Sequence, residues 1–204
     1  MRILDRFTTV FDLPAAYQAF QNVVGNDYHA RLLAEHANST PGEKVLDIGC
    51  GPGHILASLA GANYTGFDIS PEYIEAAQKR FGARGRFWCS DVGLAAIEQE
   101  RGTFHLALAI GVLHHLDDER AAKLFELARL ALRPDGRLVT CDGCFVPEQS
   151  RVARWALQKD RGKFVRSQEE YVRLAAVCFP KVEARVRHDL LRIPYTHLIM
   201  RCSA

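Results

Sequence analysis

The sequence predicts an α/β protein in which helices cover both faces of a mostly parallel sheet that ends in an antiparallel hairpin. Three observations predict this class. Short apolar segments alternate with helical patterns of about 10–15 residues, as they do in parallel sheets. The segments at residues 44–48 and 104–110 are almost continuously apolar, which is typical of strands buried on both faces. Two β-rich segments near the end, residues 181–188 and 196–202, are joined by a link too short for a parallel crossover.

The individual elements follow from caps and breakers. Pro14 opens one amphipathic segment, and Asn26 and Asp27 could cap a second helix that reaches about residue 37. The strand at residues 44–48 runs directly into a glycine-rich loop, residues 49–53, and then into a helical pattern. The later predicted elements are strands at residues 64–67, 86–89, 104–110 and 137–141 and helices that begin at Ser70-Pro71, at Asp117 and at the Ser167–Glu170 capping box.

Length and composition exclude several classes of protein. With 204 residues, 48% of them hydrophobic and 25% charged, the chain has the composition of an ordinary globular domain. The longest apolar run, residues 106–113, is far shorter than the roughly 20 residues of a membrane helix. Asp5 interrupts any apolar signal core, and six cysteines in a chain of this length do not indicate a disulfide framework. We therefore expect a cytoplasmic protein with no membrane partner.

Charge is distributed unevenly along the chain. Residues 1–150 contain 14 Lys and Arg against 19 Asp and Glu, whereas residues 151–204 contain 12 against 5. A basic C-terminal quarter favours an anionic partner, and a solvated basic face is the alternative.

The glycine loop lies at the end of a predicted strand, where open parallel sheets bind ligands. Glycine allows a positive φ and lets the backbone approach a ligand closely. The spacing of Gly49, Gly51 and Gly53 differs from the dinucleotide-binding G-x-G-x-x-G pattern, and the bulk of His54 at the sixth position opposes a pyrophosphate.

Acidic side chains follow three consecutive strands around this loop. Asp68 ends the second strand, where a carboxylate can accept both hydroxyls of a ribose. Asp91 follows the third strand and could accept a hydrogen bond from the amine of an adenine. Asp47 precedes the loop and could anchor its backbone or an ammonium group. The set indicates a ligand that carries ribose and adenine without pyrophosphate.

At these residues the chain resembles a known family. The segment Val45-Leu-Asp-Ile-Gly-Cys-Gly-Pro-Gly53 is similar to the first motif of class I S-adenosylmethionine-dependent methyltransferases. The later motifs of that family are resembled, in order and spacing, by Phe67–Ser70, Cys89–Val92, Ile110–His115 and Leu132–Leu138. The resemblance covers residues 40–142 well and the remainder loosely.

The resemblance implies a Rossmann-like, doubly wound, seven-stranded sheet with an antiparallel last strand, and S-adenosylmethionine as cofactor with S-adenosylhomocysteine as product. It implies a single domain in four parts: N-terminal helices (1–40, a possible lid), a cofactor-binding core (41–143), a substrate-side lid (144–168) and a final helix with the terminal hairpin (169–204). The cofactor-binding residues that it implies are Asp47, Gly49, Cys50, Gly51, Gly53, Asp68, Ile69, Asp91, Val92, Ile110 and His114, with Tyr28 and Arg31 as candidates for an N-terminal lid over the cofactor.

Methyl transfer from a sulfonium depends mostly on positioning, and an oxygen acceptor also needs a base to remove its proton. Candidate catalytic residues lie after strand four, at the end of strand five and near the turn of the terminal hairpin: His115, Asp142, Tyr195 and His197. The alternative for His114 and His115 is ordinary loop and cap chemistry.

The lid contains Trp155 and Phe164 among six Lys and Arg residues, with Asp160 as an acid that interrupts them. It favours a small or glycan-linked acceptor with negative charge. No metal is expected, because Cys141-x-x-Cys144 lacks the second pair of a structural zinc site. The acceptor, the methylated atom and the oligomeric state stay open.

Three other functions stay open as alternatives. A tRNA or protein methyltransferase would suit the basic C-terminal quarter, although no RNA-binding module is present and we do not expect a nucleic-acid partner. A partner subunit that binds S-adenosylmethionine without catalysis would show no turnover. A nicotinamide-dependent dehydrogenase is disfavoured by the glycine spacing.

Overall fold

The computed structural model describes residues 28–90, 98–160 and 162–203. The strands are β1 (Lys44–Ile48), β2 (Asn63–Asp68), β3 (Gly85–Cys89), β4 (Phe104–Ile110), β5 (Leu132–Phe145), β6 (Arg166–Ser167), β7 (Lys181–Arg187) and β8 (His197–Ser203). The helices are α1 (Tyr28–Leu32), α2 (Pro71–Phe81), α3 (Asp118–Ala131), α4 (Arg151–Lys159) and α5 (Gln168–Ala176). A π-helical turn, Leu33–Ala37, continues α1, and short 3₁₀ helices cover His54–Ser58, Glu98–Glu100 and Leu113–His115.

The strands form one sheet in the order β3-β2-β1-β4-β5-β8-β7, and the two-residue β6 pairs with the end of β5. Strands β1 to β5 pair in parallel, whereas β8 runs antiparallel to both β5 and β7. The predicted doubly wound sheet with an antiparallel last strand is confirmed. The strand order reverses between β1 and β4, so the carboxyl ends of these two strands form the crevice where such sheets bind ligands.

Two apolar clusters cover the two faces of the sheet. On one face, α3 and α5 contribute Phe125 and Tyr171 to a cluster that includes Leu46 of β1. On the other face, α1 and α2 contribute Leu32 and Ile74 to a second cluster. Because both faces of the central strands are covered, those strands are mostly apolar, and this explains the apolar runs in the sequence.

The predicted caps are confirmed where the structure describes them. Ser70 accepts a hydrogen bond from the backbone N–H of Tyr73, and Asp117 accepts one from that of Arg120. Ser167 and Glu170 form the predicted capping box at the start of α5. These local bonds satisfy amide donors that the first helical turn leaves unpaired, so they determine where each helix begins.

Three predicted elements differ in detail. The helical pattern after the glycine loop is a 3₁₀ helix, His54–Ser58, rather than a longer helix. The turn predicted at residues 133–136 lies inside β5 instead. It interrupts the pairing with β4, because Phe104 pairs with Leu132 whereas Leu106, two residues later, pairs with Arg137. The long connection after β5 contains α4 and β6. The predicted helix at Pro14 lies outside the described residues.

Candidate active site

The glycine loop, residues 49–53, is fastened to the end of β2. The backbone N–H groups of Gly49 and Cys50 both donate to the carbonyl of Phe67, at 2.8 and 2.9 Å. This contact holds the start of the loop against the neighbouring strand and leaves its middle at the carboxyl edge of the sheet.

The three glycines of the loop meet different surroundings. All three have a positive φ: +72° at Gly49, +53° at Gly51 and +74° at Gly53. A Cβ on Gly49 would lie 2.5 Å from a methyl carbon of Val112, and a Cβ on Gly53 would lie 3.0 Å from the ring of Phe87. A Cβ on Gly51 would meet nothing within 4 Å. Gly51 therefore faces open space, as a loop that cradles a ligand requires.

Asp68 links this loop to α2. Its Oδ2 accepts the backbone N–H of Gly51 at 2.8 Å, and its Oδ1 accepts that of Ser70 at 2.9 Å. A carboxylate has about four lone-pair sites, so Asp68 retains acceptor capacity for two ribose hydroxyls. The next residue, Ile69, exposes 75% of its surface, which leaves an apolar side chain beside the carboxylate. Asp91 and Val92, the other predicted adenine contacts, lie outside the described residues.

Asp47 is buried beneath the loop. Its Oδ2 accepts the hydroxyl of Tyr64 at 2.5 Å. Burial raises the pKa of Asp47 to about 7, the hydrogen bond from Tyr64 opposes this increase, and the charge of Asp68 adds to it. Asp47 is thus joined to Tyr64 of β2, and its two predicted roles, anchor of the loop backbone and contact for an ammonium group, stay predictions.

A second group of polar side chains lies at the carboxyl ends of β4 and β5. We call it the polar cluster; it consists of His114, Asp142, Asp160, Tyr195 and His197. The Nδ1 and backbone nitrogen of His114 lie 2.7 and 3.2 Å from Oδ1 of Asp142, and Tyr195 donates its hydroxyl to Oδ2 of Asp160 at 2.6 Å. The Nε2 of His114 lies 3.6 Å from Oδ1 of Asp160.

Among the residues that the structure describes, two polar atoms of the cluster are buried without a hydrogen-bond partner, namely Oδ2 of Asp142 and Nδ1 of His197. His197 is 6% exposed, and its ring centroid lies 4.7 Å from that of Tyr195. Buried polar groups are nearly always paired, so these two atoms indicate a place where a ligand's polar group can bind.

Comparison with known proteins shows which proteins this fold and this glycine loop are similar to. A family model described as a methyltransferase domain matches residues 45–136, which contain the glycine loop and β1 to β4. An O-methyltransferase of Pyrenophora dematioidea is 35% identical over 127 residues, which make up 57% of this chain and 46% of that protein. Residues 45–136 therefore match a methyltransferase domain, and the chain is similar to S-adenosylmethionine-dependent methyltransferases.

One further relative is also a methyltransferase, and one solved structure shares the fold. The mitochondrial ubiquinone biosynthesis O-methyltransferase of Schizosaccharomyces pombe is 37% identical over 119 residues, 55% of this chain and 42% of that protein. The chain thus spans about half the length of the curated relatives it matches. The structure of a Haemonchus contortus phosphoethanolamine N-methyltransferase shares the fold, with a TM-score of 0.70 and 19% identity over 92% of this chain and 46% of that one.

The methyltransferase fold brings together three of the four candidate catalytic residues, Asp142, Tyr195 and His197. His115 is exposed, with its ring centroid 4.1 Å from that of His114. The buried histidine that pairs with Asp142 is therefore His114, which the sequence placed beside the cofactor.

The two candidates for an N-terminal lid are both engaged with the C-terminal half of the methyltransferase. Tyr28 donates its hydroxyl to the sulfur of Cys141 at 3.3 Å, and its ring lies 5.9 Å from that of His197. Arg31 donates to the backbone and side-chain oxygens of Asp189 at 3.0 and 2.9 Å. Ile110, the remaining predicted cofactor contact, is half-buried at the end of β4.

The basic lid has less free charge than the sequence indicates. Arg166 is buried and donates to Oδ1 of Asp118 and to three backbone carbonyls. Arg154 donates to the carbonyl of Val146 and lies over the ring of Phe145. Arg166 therefore holds the lid against the start of α3 and the segment before it, whereas the partners of Arg154 lie within the lid.

Sequence reasoning missed two supporting residues of the site. Tyr64 occupies an ordinary strand position, and nothing in the sequence marks it as the partner of Asp47. Asp160 could have been singled out from the sequence, because it is an acidic residue among the basic residues of the lid. The structure shows why it is there, since it accepts Tyr195 and faces His114.

A cavity of about 400 Å³ lies beside the polar cluster and shares Tyr195 with it. Its other walls come from the start of α4 and from the link between β7 and β8, namely Glu148, Gln149, Ser150, Ala153, His188, Leu191, Arg192, Ile193 and Pro194.

Within residues 28–90, 98–160 and 162–203, no group of three or more His, Cys, Asp and Glu side chains is arranged to hold a metal ion. No helix in the same ranges is long and apolar enough to cross a membrane.

Proposed function

We propose that this chain binds S-adenosylmethionine and transfers its methyl group to an oxygen of a small-molecule acceptor. The observation that carries the proposal is the polar cluster with its two unpartnered atoms, placed at the carboxyl ends of β4 and β5 next to the glycine loop. The proposal is also supported by the two curated relatives described above, which are named as O-methyltransferases.

In this proposal the cofactor lies across the carboxyl ends of β1 and β2. Gly49, Gly51 and Gly53 pass its methionine end, and the spare lone pairs of Asp68 accept the ribose hydroxyls. The exposed side chain of Ile69 covers one face of the adenine. Asp91 and Val92 would complete the adenine site, with Ile110 and His114 beside the sulfonium. The open space at Gly51 fits such a ligand, because any side chain there would project into it.

Bound S-adenosylmethionine supplies a methyl group that is already activated by a sulfonium. The residues of the chain then have two tasks. They hold the acceptor oxygen in line with the methyl carbon, which is the larger contribution in such reactions. They also take the proton that a hydroxyl must lose, a step that contributes about 10²–10⁴-fold. The polar cluster provides carboxylate, phenol and imidazole groups for both tasks.

We assign the cavity beside Tyr195 to the body of the acceptor. Its volume of about 400 Å³ falls within the range of small-molecule sites. Leu191, Ile193 and Pro194 offer apolar contacts, while Arg192 offers a positive charge. This lining favours an acceptor with an apolar frame, a reactive hydroxyl and an acidic substituent.

Calorimetric titration with S-adenosylmethionine and S-adenosylhomocysteine tests the cofactor. Binding of both at micromolar concentration is expected. S-adenosylhomocysteine release during incubation with hydroxylated aromatic acids then tests the reaction. A folded protein that binds neither compound would refute the cofactor assignment, and binding without turnover of any hydroxylated acceptor would refute O-methylation.

A further inference from the structure

The two buried histidines of the polar cluster have opposite surroundings. His114 faces a carboxylate at each ring nitrogen, with Asp142 2.7 Å from Nδ1 and Asp160 3.6 Å from Nε2. Burial alone would lower the pKa of His114, but the hydrogen bond and charge of Asp142, together with Asp160, raise it above its ordinary value. A protonated imidazole in this position has no lone pair with which to accept a proton.

His114 is also covered by the lid. Its carbonyl accepts the backbone N–H of Phe164 at 3.0 Å, and a Cβ on Gly162 would overlap its ring. The ring of His114 therefore lies between Asp142 of β5 and Asp160 at the end of α4.

His197 lies in the same cluster but has no partner at Nδ1. Burial lowers the pKa of His197 to about 4, with the charge of His114 lowering it further and those of Asp142 and Asp160 opposing. Its ring is consequently neutral at pH 7 and keeps a lone pair on one nitrogen. Among the described residues, the charged and titratable groups around it are Asp142 from β5, His114 from the segment after β4, Asp160 from the lid, Tyr195 from the hairpin link, Tyr28 from α1 and Arg187, which lies opposite it on β7.

We propose, on the basis of the function proposed above, that His197 is the catalytic base and that His114 is a positioning residue. The acceptor hydroxyl donates to Nδ1 of His197, the nitrogen without a partner among the described residues. Its oxygen bonds to the methyl carbon as the carbon–sulfur bond breaks, and the sulfur keeps that electron pair as a neutral thioether. The hydroxyl proton moves to His197, and the negative charge of Asp142 stabilises the resulting imidazolium.

Nitrogen-15 NMR of the histidine rings tests this division in the S-adenosylhomocysteine complex, where no acceptor is needed. We expect His197 to be neutral from pH 6 to 8 and His114 to lose its proton at a higher pH than His197, with His197→Gln and His114→Gln variants assigning the signals. A protonated His197 at pH 7, or a His114 that loses its proton at a lower pH than His197, would overturn the proposal.

Methyl transfer to two phenols of different acidity gives the second test. One phenol ionises near neutral pH, and the other near pH 10, as tyrosine does. His197→Gln should slow transfer to the weakly acidic phenol by about 100-fold or more, and should change transfer to the ionised phenol much less. Equal loss with both phenols would show that His197 is not a base.

The pH profile separates the two histidines. With His197 as the base, the rate on the weakly acidic phenol should be flat from pH 6 to 8 and fall only as pH approaches 4. Loss of rate below a midpoint above pH 6.5 would instead assign the base to His114. His114→Gln, which still can donate to Asp142, should lower kcat without moving this profile.

Failure of the inference and failure of the proposed function are distinguishable. If the wild-type protein binds S-adenosylmethionine but methylates neither phenol, the O-methylation proposal loses support. The assignment of the two histidines then depends on the NMR result, because a ring that is protonated at pH 7 cannot accept the proton of any acceptor.

Discussion

Asp68 accepts the backbone N–H of Gly51 at 2.8 Å, and this bond joins the end of β2 to the middle of the glycine loop. The same carboxylate accepts the N–H of Ser70 at the start of α2. One side chain thus positions the loop and the helix between which we place the cofactor. Its loss should affect both the shape of the site and the contact with the ribose.

Replacing Asp68 with Ala should weaken S-adenosylmethionine binding by about 1–3 kcal/mol, the cost of losing hydrogen bonds to a charged group. Calorimetric titration measures this change. Glu75→Ala is the matched control, since it removes one exposed carboxylate from α2 and should leave the affinity unchanged. Equal affinities for the two variants would contradict the ribose assignment.

Replacing Gly51 with Ala tests the open space in the loop. Because φ is +53° there, the substitution should lower the free energy of unfolding by about 1–2 kcal/mol, and the new methyl group should also obstruct the cofactor. Gly102 has a φ of +66° and the same open surroundings but lies before β4, away from the site. Gly102→Ala should therefore cost similar stability in urea denaturation and leave the dissociation constant of S-adenosylmethionine unchanged.

If both glycine variants bind the cofactor as the wild type does, the methionine end does not pass Gly51. If both lose binding together, the loss reflects general destabilisation rather than obstruction at the loop.

Asp47 should make stability depend on pH in an unusual direction for a carboxyl group. Its pKa is about 7 in the folded protein and about 3.9 when unfolded. Between these two pH values the folded state binds more protons than the unfolded state does. The contribution of Asp47 to the free energy of unfolding therefore falls as pH rises, by up to about 1.4 kcal/mol per pH unit.

Asp47→Asn removes this titration while keeping an acceptor for Tyr64. We expect the free energy of unfolding of the variant, relative to the wild type, to increase from pH 4 to pH 7 and then to level off. Chemical denaturation at several pH values provides the measurement. A constant difference between the two proteins would mean that Asp47 ionises normally.

Arg137 is the buried charge that fixes the N-terminal helix to the sheet. It donates to both oxygens of Glu43 at 3.0 and 2.9 Å and to the backbone carbonyls of Ala37, Asn38 and His105. Arg137→Ala should cost about 3–5 kcal/mol of unfolding free energy, because it leaves Glu43 and several carbonyls without partners.

Arg133, which is half-buried and contacts Asp135 and His105, is the control for that experiment. Its partner Asp135 is in solvent, so Arg133→Ala should cost no more than about 1 kcal/mol. Similar losses for the two arginine variants would show that the hydrogen bonds of Arg137 are not what stabilises this region.

The elements that the sequence predicted well are those fixed by neighbouring residues. Strand β4 has the predicted ends, residues 104 and 110, because its residues are apolar and a parallel strand between two helical layers must be. The Ser70, Asp117 and Ser167 caps were predictable because each accepts an amide only three residues away. The glycine loop and Asp68 were identified for a related reason, since their places at strand ends can be read along the chain.

Contacts between distant parts of the chain were not predictable. Arg31 pairs with Asp189 across 158 positions, and Tyr195 reaches Asp160 across 35. The pKa values of His114 and His197 shift in opposite directions because different carboxylates surround the two rings. The sequence cannot show this, since it does not distinguish His114 from its neighbour His115.

The sequence by itself therefore determined the sheet, its direction and the strand ends that form the site. The tertiary structure decided which side chains are buried together there, and hence which of them keep a charge. The physical reason is that hydrophobic period and capping act within a few residues, whereas burial and electrostatic pairing depend on the packing of the whole domain.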